Sequence, residues 1–245
     1  MTNHRISDKI MKKILLLMAI VALPLVFISC GDDKDEPAAP DGHQYVDLGL
    51  PSGTLWATCN IGANRPEEYG DYFAWGETVP KTAYEWSTYK WCEGKYDTMT
   101  KYCNNYHFGT VDIKTVLDLE DDAAYVNWGA SWRVPTNEQL EELRLNCTWL
   151  WTTKNGVNGC KVIGPNGASL FLPAAGRHTG SSLEYADQDG FYWSRSLTLL
   201  YNDGYGYGPV PTSAFILGFD QWTLECNIIS RSVGISVRAV YVPQN

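Results

Sequence analysis

The chain is predicted to fold as an α+β domain of short antiparallel strands, one or two helices and long loops, carried behind an export signal. Three stretches predict this. WRVPTNEQLEEL, residues 132–143, reads as a strand, a sharp corner and a capped helix. Residues 147–172 alternate and are punctuated by Asn155-Gly156 and Pro165-Asn166-Gly167, so they read as strands joined by tight turns. Residues 77–109 are polar, rich in tyrosine and without period, so they read as a long loop pinned by its aromatic side chains.

In chain order, residues 1–29 read as a lipoprotein signal peptide. Met11-Lys12-Lys13 is a basic start, and residues 14–28 are an apolar run shorter than the roughly 20 residues of a membrane span. Phe27-Ile28-Ser29-Cys30-Gly31 resembles a bacterial lipobox, which makes Cys30 the expected lipidation site and new N-terminus, with translation starting at Met1 or Met11. Residues 30–42 contain the acidic, proline- and alanine-rich run GDDKDEPAAPD and are expected to be a flexible tether. An acidic run directly after a lipidated cysteine resembles the surface-export signal of gut Bacteroidetes lipoproteins. It implies a lipid anchor in the outer membrane, on the cell surface; a spacer facing the periplasm is the alternative.

The whole chain carries a net charge of −9. Residues 1–29 hold four basic residues and one acidic residue, so the mature chain has 15 basic against 27 acidic side chains, a net of −12. Such a surface repels nucleic acid and anionic lipid, so attachment to a membrane falls to the N-terminal lipid. Residues 43–245 suffice for one buried core, with no linker to divide them, and are expected to form a single domain. Its cysteines are Cys59, Cys92, Cys103, Cys147, Cys160 and Cys226. Export allows disulfides, and Cys92 and Cys103 could close a local loop, although spacing does not choose a connectivity.

Within the domain, Tyr45-Val46-Asp47-Leu48 is a first strand, Pro51-Ser52-Gly53 a turn and residues 54–57 a second strand. Residues 66–70 make a short turn, and residues 71–76, DYFAWG, a short aromatic strand. Asp118 is the expected cap of a short helix whose body holds Ala123, Ala124 and Tyr125. Residues 132–134 alternate; Pro135 ends the ladder, Thr136 caps the helix and Gln139 completes a capping box. Glu138 complements the helix dipole, and Leu140, Leu143 and Cys147 share one face. Residues 173–180 are expected to be irregular, and residues 190–194 a short aromatic strand. Residues 212–219 are apolar on both faces and therefore a central strand. Residues 231–240 alternate and are expected to be a strand with one buried face.

Four pieces in this order carry a resemblance: LWATCNIGA with DYFAWGET (55–63, 71–78), WRVPTNEQLEEL, FLPAAGRHTG with FYWS (171–180, 191–194), and RSVGISVRAV (231–240). Together they resemble the Fibrobacter succinogenes major paralogous domain, itself similar to the sulfatase-modifying-factor branch of the C-type-lectin-like fold. The resemblance covers nearly all of residues 45–242. It implies a C-type-lectin-like α+β domain with a loop-rich ligand face.

The chemistry of that fold's relatives does not transfer residue by residue. Formylglycine generation uses a late pair of cysteines, whereas Cys226 stands alone in the last 80 residues. His43, His107 and His178 lack the pattern of an iron facial triad. Neither a Glu-Pro-Asn nor a Gln-Pro-Asp calcium motif is present. Asp187 and Asp189 offer carboxylate oxygens to which calcium could bind; otherwise no cofactor or metal is expected. Asp97-Thr98-Met99 resembles an O-glycosylation acceptor of Bacteroidetes secreted proteins, with Thr98 as the acceptor. The best binding segment is residues 201–211: Tyr201, Asn202, Asp203, Tyr205 and Tyr207 combine rigid aromatic area with adaptable hydrogen bonding. Such a loop also resembles those varied in proteins of diversity-generating retroelements. The expected function is a non-enzymatic surface lipoprotein that binds a glycan or protein ligand. The alternatives are a structural or adhesin subunit of a surface appendage, or an enzyme remnant of the formylglycine-generating type.

Overall fold

The computed structural model describes residues 37–198 and 210–243. Its strands are β1 (Tyr45–Asp47), β2 (Leu55–Ala57), β3 (Trp132–Arg133), β4 (Thr148–Lys154), β5 (Val157–Ile163) and β6 (Ser169–Pro173). They continue as β7 (Arg177–Thr179), β8 (Ser182–Glu184), β9 (Gly190–Leu197), β10 (Ser213–Phe219), β11 (Leu224–Ser230) and β12 (Val240–Tyr241). Two α-helices, α1 (Ala123–Trp128) and α2 (Asn137–Asn146), complete a mixed α+β architecture of mostly antiparallel sheets.

Helix α2 starts as its residues dictate. The Thr136 hydroxyl accepts from the Gln139 amide at 3.2 Å, and the Gln139 side chain accepts from the Thr136 amide at 2.9 Å. Both orphan amides of the first turn are thereby satisfied. Leu140 and Leu143 are buried; each contributes on the order of 1.5–3 kcal/mol by leaving water. Cys147 is the half-buried C-cap.

Strand β10 lies between β9 and β11, as its two apolar faces predict. Ala214 and Ile216 join a core with Trp75, Trp132 and Trp193; Leu217 and Phe219 join a second with Leu140, Leu143 and Tyr192. A third core, of Tyr84, Tyr89, Met99, Cys103, Phe108 and Val210, lies mostly within residues 77–109. That excursion is therefore a packed loop held by buried tyrosines. Strands β4, β5 and β6, read from sequence as strands joined by tight turns in a β-hairpin, form a three-stranded antiparallel sheet. Asn155 and Gly156 both take positive φ, 49° and 85°, the requirement of the two-residue hairpin turn.

Several expectations are corrected. Residues 38–41, expected to be part of a flexible tether over 30–42, pack on the domain: Ala38 bridges Gln44, Ala39 is buried, and the Asp41 carboxylate accepts from the Trp132 indole at 2.6 Å. Residues 71–76 form no strand; Phe73 makes a single bridge to Ile235, and Gly76 turns the chain away at φ 75°. The short helix α1 is capped by Asp122, whose carboxylate accepts from the amides of Ala124, Tyr125 and Val134. Asp118 instead precedes a 3-10 turn and pairs with lysines. Residues 177–184 are a small hairpin, β7–β8, rather than irregular chain. Strand β11 was not expected, although Leu224, Cys226 and Ile228 alternate with Glu225 and Asn227.

The largest correction concerns residues 231–240. Only isolated bridges at Gly234, Ile235 and Ser236 precede β12, and the whole segment is buried on both sides. Its polar residues find partners inside. Arg231 donates to the Tyr89 hydroxyl at 2.8 Å and to the carbonyls of Pro211 (2.8 Å), Tyr102 (3.0 Å) and Lys101 (3.2 Å). Arg238 donates to the Asn60 side chain (2.9 Å) and the carbonyls of Thr58 (2.7 Å), Phe171 (3.0 Å) and Ala57 (3.1 Å). Neutral oxygens satisfy both guanidinium forks. No disulfide links the six described cysteines in this structure; neither Cys92 nor Cys103 is bridged. The Cys92 and Cys103 thiols bond carbonyls of their own turns, Trp86 and Asn105.

Candidate functional site

Tyr201, Asn202, Asp203, Tyr205 and Tyr207 lie outside the described residues, as does Cys30. The residues on either side of 199–209 are described, and both sides contact the 99–117 segment. Before it, the Leu197 amide donates to the Thr115 carbonyl at 2.7 Å, and Ser196 bridges Val116. After it, Val210 packs with Met99, Cys103 and Phe108, and the Pro211 carbonyl is held by Arg231.

Between these anchors the chain presents apolar side chains to solvent. Tyr106, Val111, Ile113, Val116 and Leu119 are all exposed, Ile113 to 76%. Ile113 also sits at φ 53°, a left-handed conformation that a β-branched residue adopts only under strain. The Asp112 carboxylate imposes it. Its oxygens accept from the amides of Tyr102 (2.8 Å), Cys103 (2.9 Å) and Lys114 (3.1 Å), while the Asp112 and Ile113 amides both donate to the Cys103 carbonyl. Tyr102, itself at φ 58°, is locked by the same carboxylate.

Beside this face, carboxylate oxygens of Asp118, Glu120 and Asp121 lie within 4.8 Å of one another. The Lys101 ammonium sits among them, 2.6 Å from Asp121, 2.7 Å from Asp118 and 3.5 Å from Glu120. It takes the position a divalent cation would need. The Tyr102 hydroxyl donates to Asp121 at 2.6 Å. Burial works against the Lys101 charge, but the hydrogen bonds to Asp118 and Asp121 outweigh it and hold its pKa above the usual lysine range. Hydrogen bonds from Lys101 and Lys114 in turn hold the Asp118 carboxyl below its ordinary value. In this structure the three carboxylates are balanced by the ammonium groups of Lys90, Lys101 and Lys114.

The remaining candidates are dispersed. Asp187, at φ 67°, spends one carboxylate oxygen on the Asn158 amide at 2.7 Å. Burial pushes Asp189 up, with Asp220 adding to it. Neither belongs to a group of three ligating side chains among the described residues. The Thr98 hydroxyl donates to the Lys95 carbonyl at 2.9 Å and accepts from the Glu93 amide at 3.0 Å, so it ties its own turn. His43 stacks on Trp128 at 4.0 Å, and His178 is wedged between Tyr72 and Tyr84. Burial pushes the Cys147 thiol up to about 11 and those of Cys160 and Cys226 up to about 12, far from the range of a reactive thiolate. A void of about 10 Å³ beneath Phe73, Trp75, Trp193 and Val237 has room for no more than a water molecule.

One surface residue was not singled out from sequence. Trp222, in the turn between β10 and β11, is 85% exposed. Asp220, three residues before Thr223, is the sequence signal of a side-chain-tied turn around it. No protein-family model, curated protein or solved structure matches this chain.

Proposed function

We propose that this chain is a lipid-anchored protein of the outer bacterial surface. In this reading its C-type-lectin-like domain binds a protein or glycan ligand and performs no catalysis. The stretch of residues 106–119, which Ser196 and Leu197 meet at Thr115 and Val116, is the ligand face. The observation that carries the proposal is Ile113, which is strained and exposed at once. Holding a β-branched apolar side chain mostly in solvent at positive φ costs the fold about 1–2 kcal/mol and returns little packing. Tyr106, Val111, Val116 and Leu119, on the same stretch of chain, are also exposed, and exposed apolar side chains favour a protein ligand over a sugar. Tyr201, Tyr205 and Tyr207 follow in sequence the residues 196–197 that contact Thr115 and Val116. The fold reading is supported by the meeting of the four motifs in one body. Trp56, Trp132 and Val240 share a sheet, and the Trp193 indole donates to the Phe73 carbonyl at 2.7 Å.

The test is binding of the purified chain to arrays of surface proteins and glycans. Ile113→Asp is expected to weaken any specific binding at least about tenfold, a loss of ~1.4 kcal/mol, and Tyr201→Ala/Tyr205→Ala/Tyr207→Ala to weaken it further. Affinity unchanged in both variants would sink this face as the site. For the anchor, a mature N-terminus other than lipid-modified Cys30 would overturn the lipoprotein reading.

A further inference from the structure

We infer that the β10–β11 turn is a second binding site, with Trp222 as a platform for the apolar face of a neutral sugar. The chain has ten tryptophans. The other nine are buried or half-buried; Trp222 alone stands in water, 85% exposed. The turn that carries it is ordered. One Asp220 carboxylate oxygen accepts from the Trp222 amide at 2.5 Å and the Thr223 amide at 2.6 Å, and the Asp220 amide donates to the Thr223 carbonyl at 3.0 Å. Trp222 is therefore displayed on a fixed backbone, which lowers the entropy lost when a ligand docks.

The surroundings select the ligand class. Gln221 and Thr223, on either side of Trp222, are exposed and supply an amide and a hydroxyl. Further along β11, Glu225 and Asn227 are exposed, and the Asn227 amide donates to Glu225 at 2.8 Å. No lysine, arginine or histidine occurs from residue 213 to 230. Asp220 stays charged, its carboxyl held below the ordinary value by the amide of Trp222. The nearest cation shown at β11 is Arg144, which lies at Cys226 and is paired with Glu141, so the acidic turn at Asp220 disfavours phosphate, sulfate, uronate and anionic lipid. Its polar flanks give little apolar area to a protein partner. An indole face ringed by amide, hydroxyl and carboxylate groups matches a neutral pyranose, which is apolar on its C–H face and rich in hydroxyls at its rim.

The experiment titrates the full chain with maltohexaose, cellohexaose, mannohexaose and N,N′-diacetylchitobiose, reading tryptophan emission and calorimetric heat. Saturable binding to at least one is expected. Trp222→Ala should weaken it by about tenfold or more with an unchanged thermal midpoint, and Trp222→Phe should retain part of it. The proposal is overturned if none of the four sugars binds saturably, or if affinity survives Trp222→Ala. It is equally overturned if Trp222 instead governs adsorption to phosphatidylcholine vesicles, which would assign the tip to a lipid surface. Loss of this site leaves the 106–119 face untouched, so the two readings fail separately.

Discussion

Ile113→Asn should make the protein more stable and its ligand binding weaker. A non-glycine residue in the left-handed region costs roughly 1–2 kcal/mol, with a β-branched side chain at the upper end. Asparagine tolerates that region, so most of the cost is recovered. The opposing loss is small, because Ile113 is 76% exposed and only its buried remainder is forfeited. That remainder is worth about 0.5 kcal/mol against the ~2–3 kcal/mol of a fully buried isoleucine. The balance is a gain of about 0.5–1 kcal/mol, or roughly 1–4 °C in Tm for a domain of this size. Ile113→Gly relieves the same strain but adds about 0.5–1 kcal/mol of unfolded-chain entropy, so it should fall near neutral. Ile113→Val keeps the strain and should match the parent. Urea unfolding, read as a midpoint shift at constant slope, orders the series Asn, Gly, Val. An asparagine variant less stable than the parent by more than about 1 kcal/mol would refute both the strain argument and the idea that a surface role maintains it.

Other outcomes follow from the buried groups. Arg231→Lys and Arg238→Lys should each destabilise by about 3 kcal/mol or more, because an ammonium cannot reach the four oxygens that each guanidinium spans; a loss under about 1 kcal/mol in denaturant titration would contradict that geometry. The lowered Asp118 pKa contributes stability that is present above the unfolded value near 3.9 and lost as pH falls through the lower folded value. The raised Lys101 pKa contributes stability lost only in strong alkali. Lys101→Met should therefore cost the same at pH 6 and pH 8 and less at pH 3; a cost that grows on acidification would reverse the assignment. Alkylation without reductant, followed by intact mass, should find Cys59, Cys92, Cys103, Cys147, Cys160 and Cys226 all free, with Cys103 and Cys160 modified only after unfolding. A Cys92–Cys103 crosslink in the native chain would show the local loop to be closed after all.

What could be read from sequence was what local chemistry decides. Thr136 and Gln139 cap α2 whatever packs around them, and Asn155-Gly156 makes its turn because both residues accept positive φ. The two-sided apolar pattern of β10 could be read as central because no solvent face interrupts it. The pattern misled where a polar residue was buried. Arg238 and Ser236 were read as the solvent side of a strand, yet Arg238 bonds carbonyls and Ser236 bonds the Tyr69 carbonyl at 3.3 Å, inside the core. Alternation reports polarity, not exposure, and a guanidinium surrounded by carbonyls breaks the link between them. Asp122 was passed over for Asp118 because neighbouring aspartates are equivalent as caps until a third strand arrives. The Val134 amide, brought by β3, selects Asp122. Ile113 gave no local signal, since its strain arises from an Asp112 carboxylate that reaches back to Tyr102 and Cys103.

Arg231 shows why these long-range contacts matter to the proposed ligand face. Its guanidinium joins three parts of the chain: Tyr89 and Tyr102 of the aromatic excursion, the Lys101 carbonyl beside the carboxylate network, and the Pro211 carbonyl after residues 199–209. The rings of Trp75, Tyr89 and Tyr102 lie 4.9, 5.2 and 5.9 Å from its charge. A lysine would offer one point where the arginine offers a fork, so the three parts would no longer share a donor. The same Tyr102 is bonded through its amide to Asp112, and Asp112 sets Ile113. A single chain of contacts therefore runs from a buried cation to the strained surface residue. Substitutions far from solvent, at Arg231 or Tyr102, should alter the ligand face by releasing Asp112, even though neither side chain can touch a ligand. In this reading the proposed binding surface is an extension of how the core arginine is satisfied.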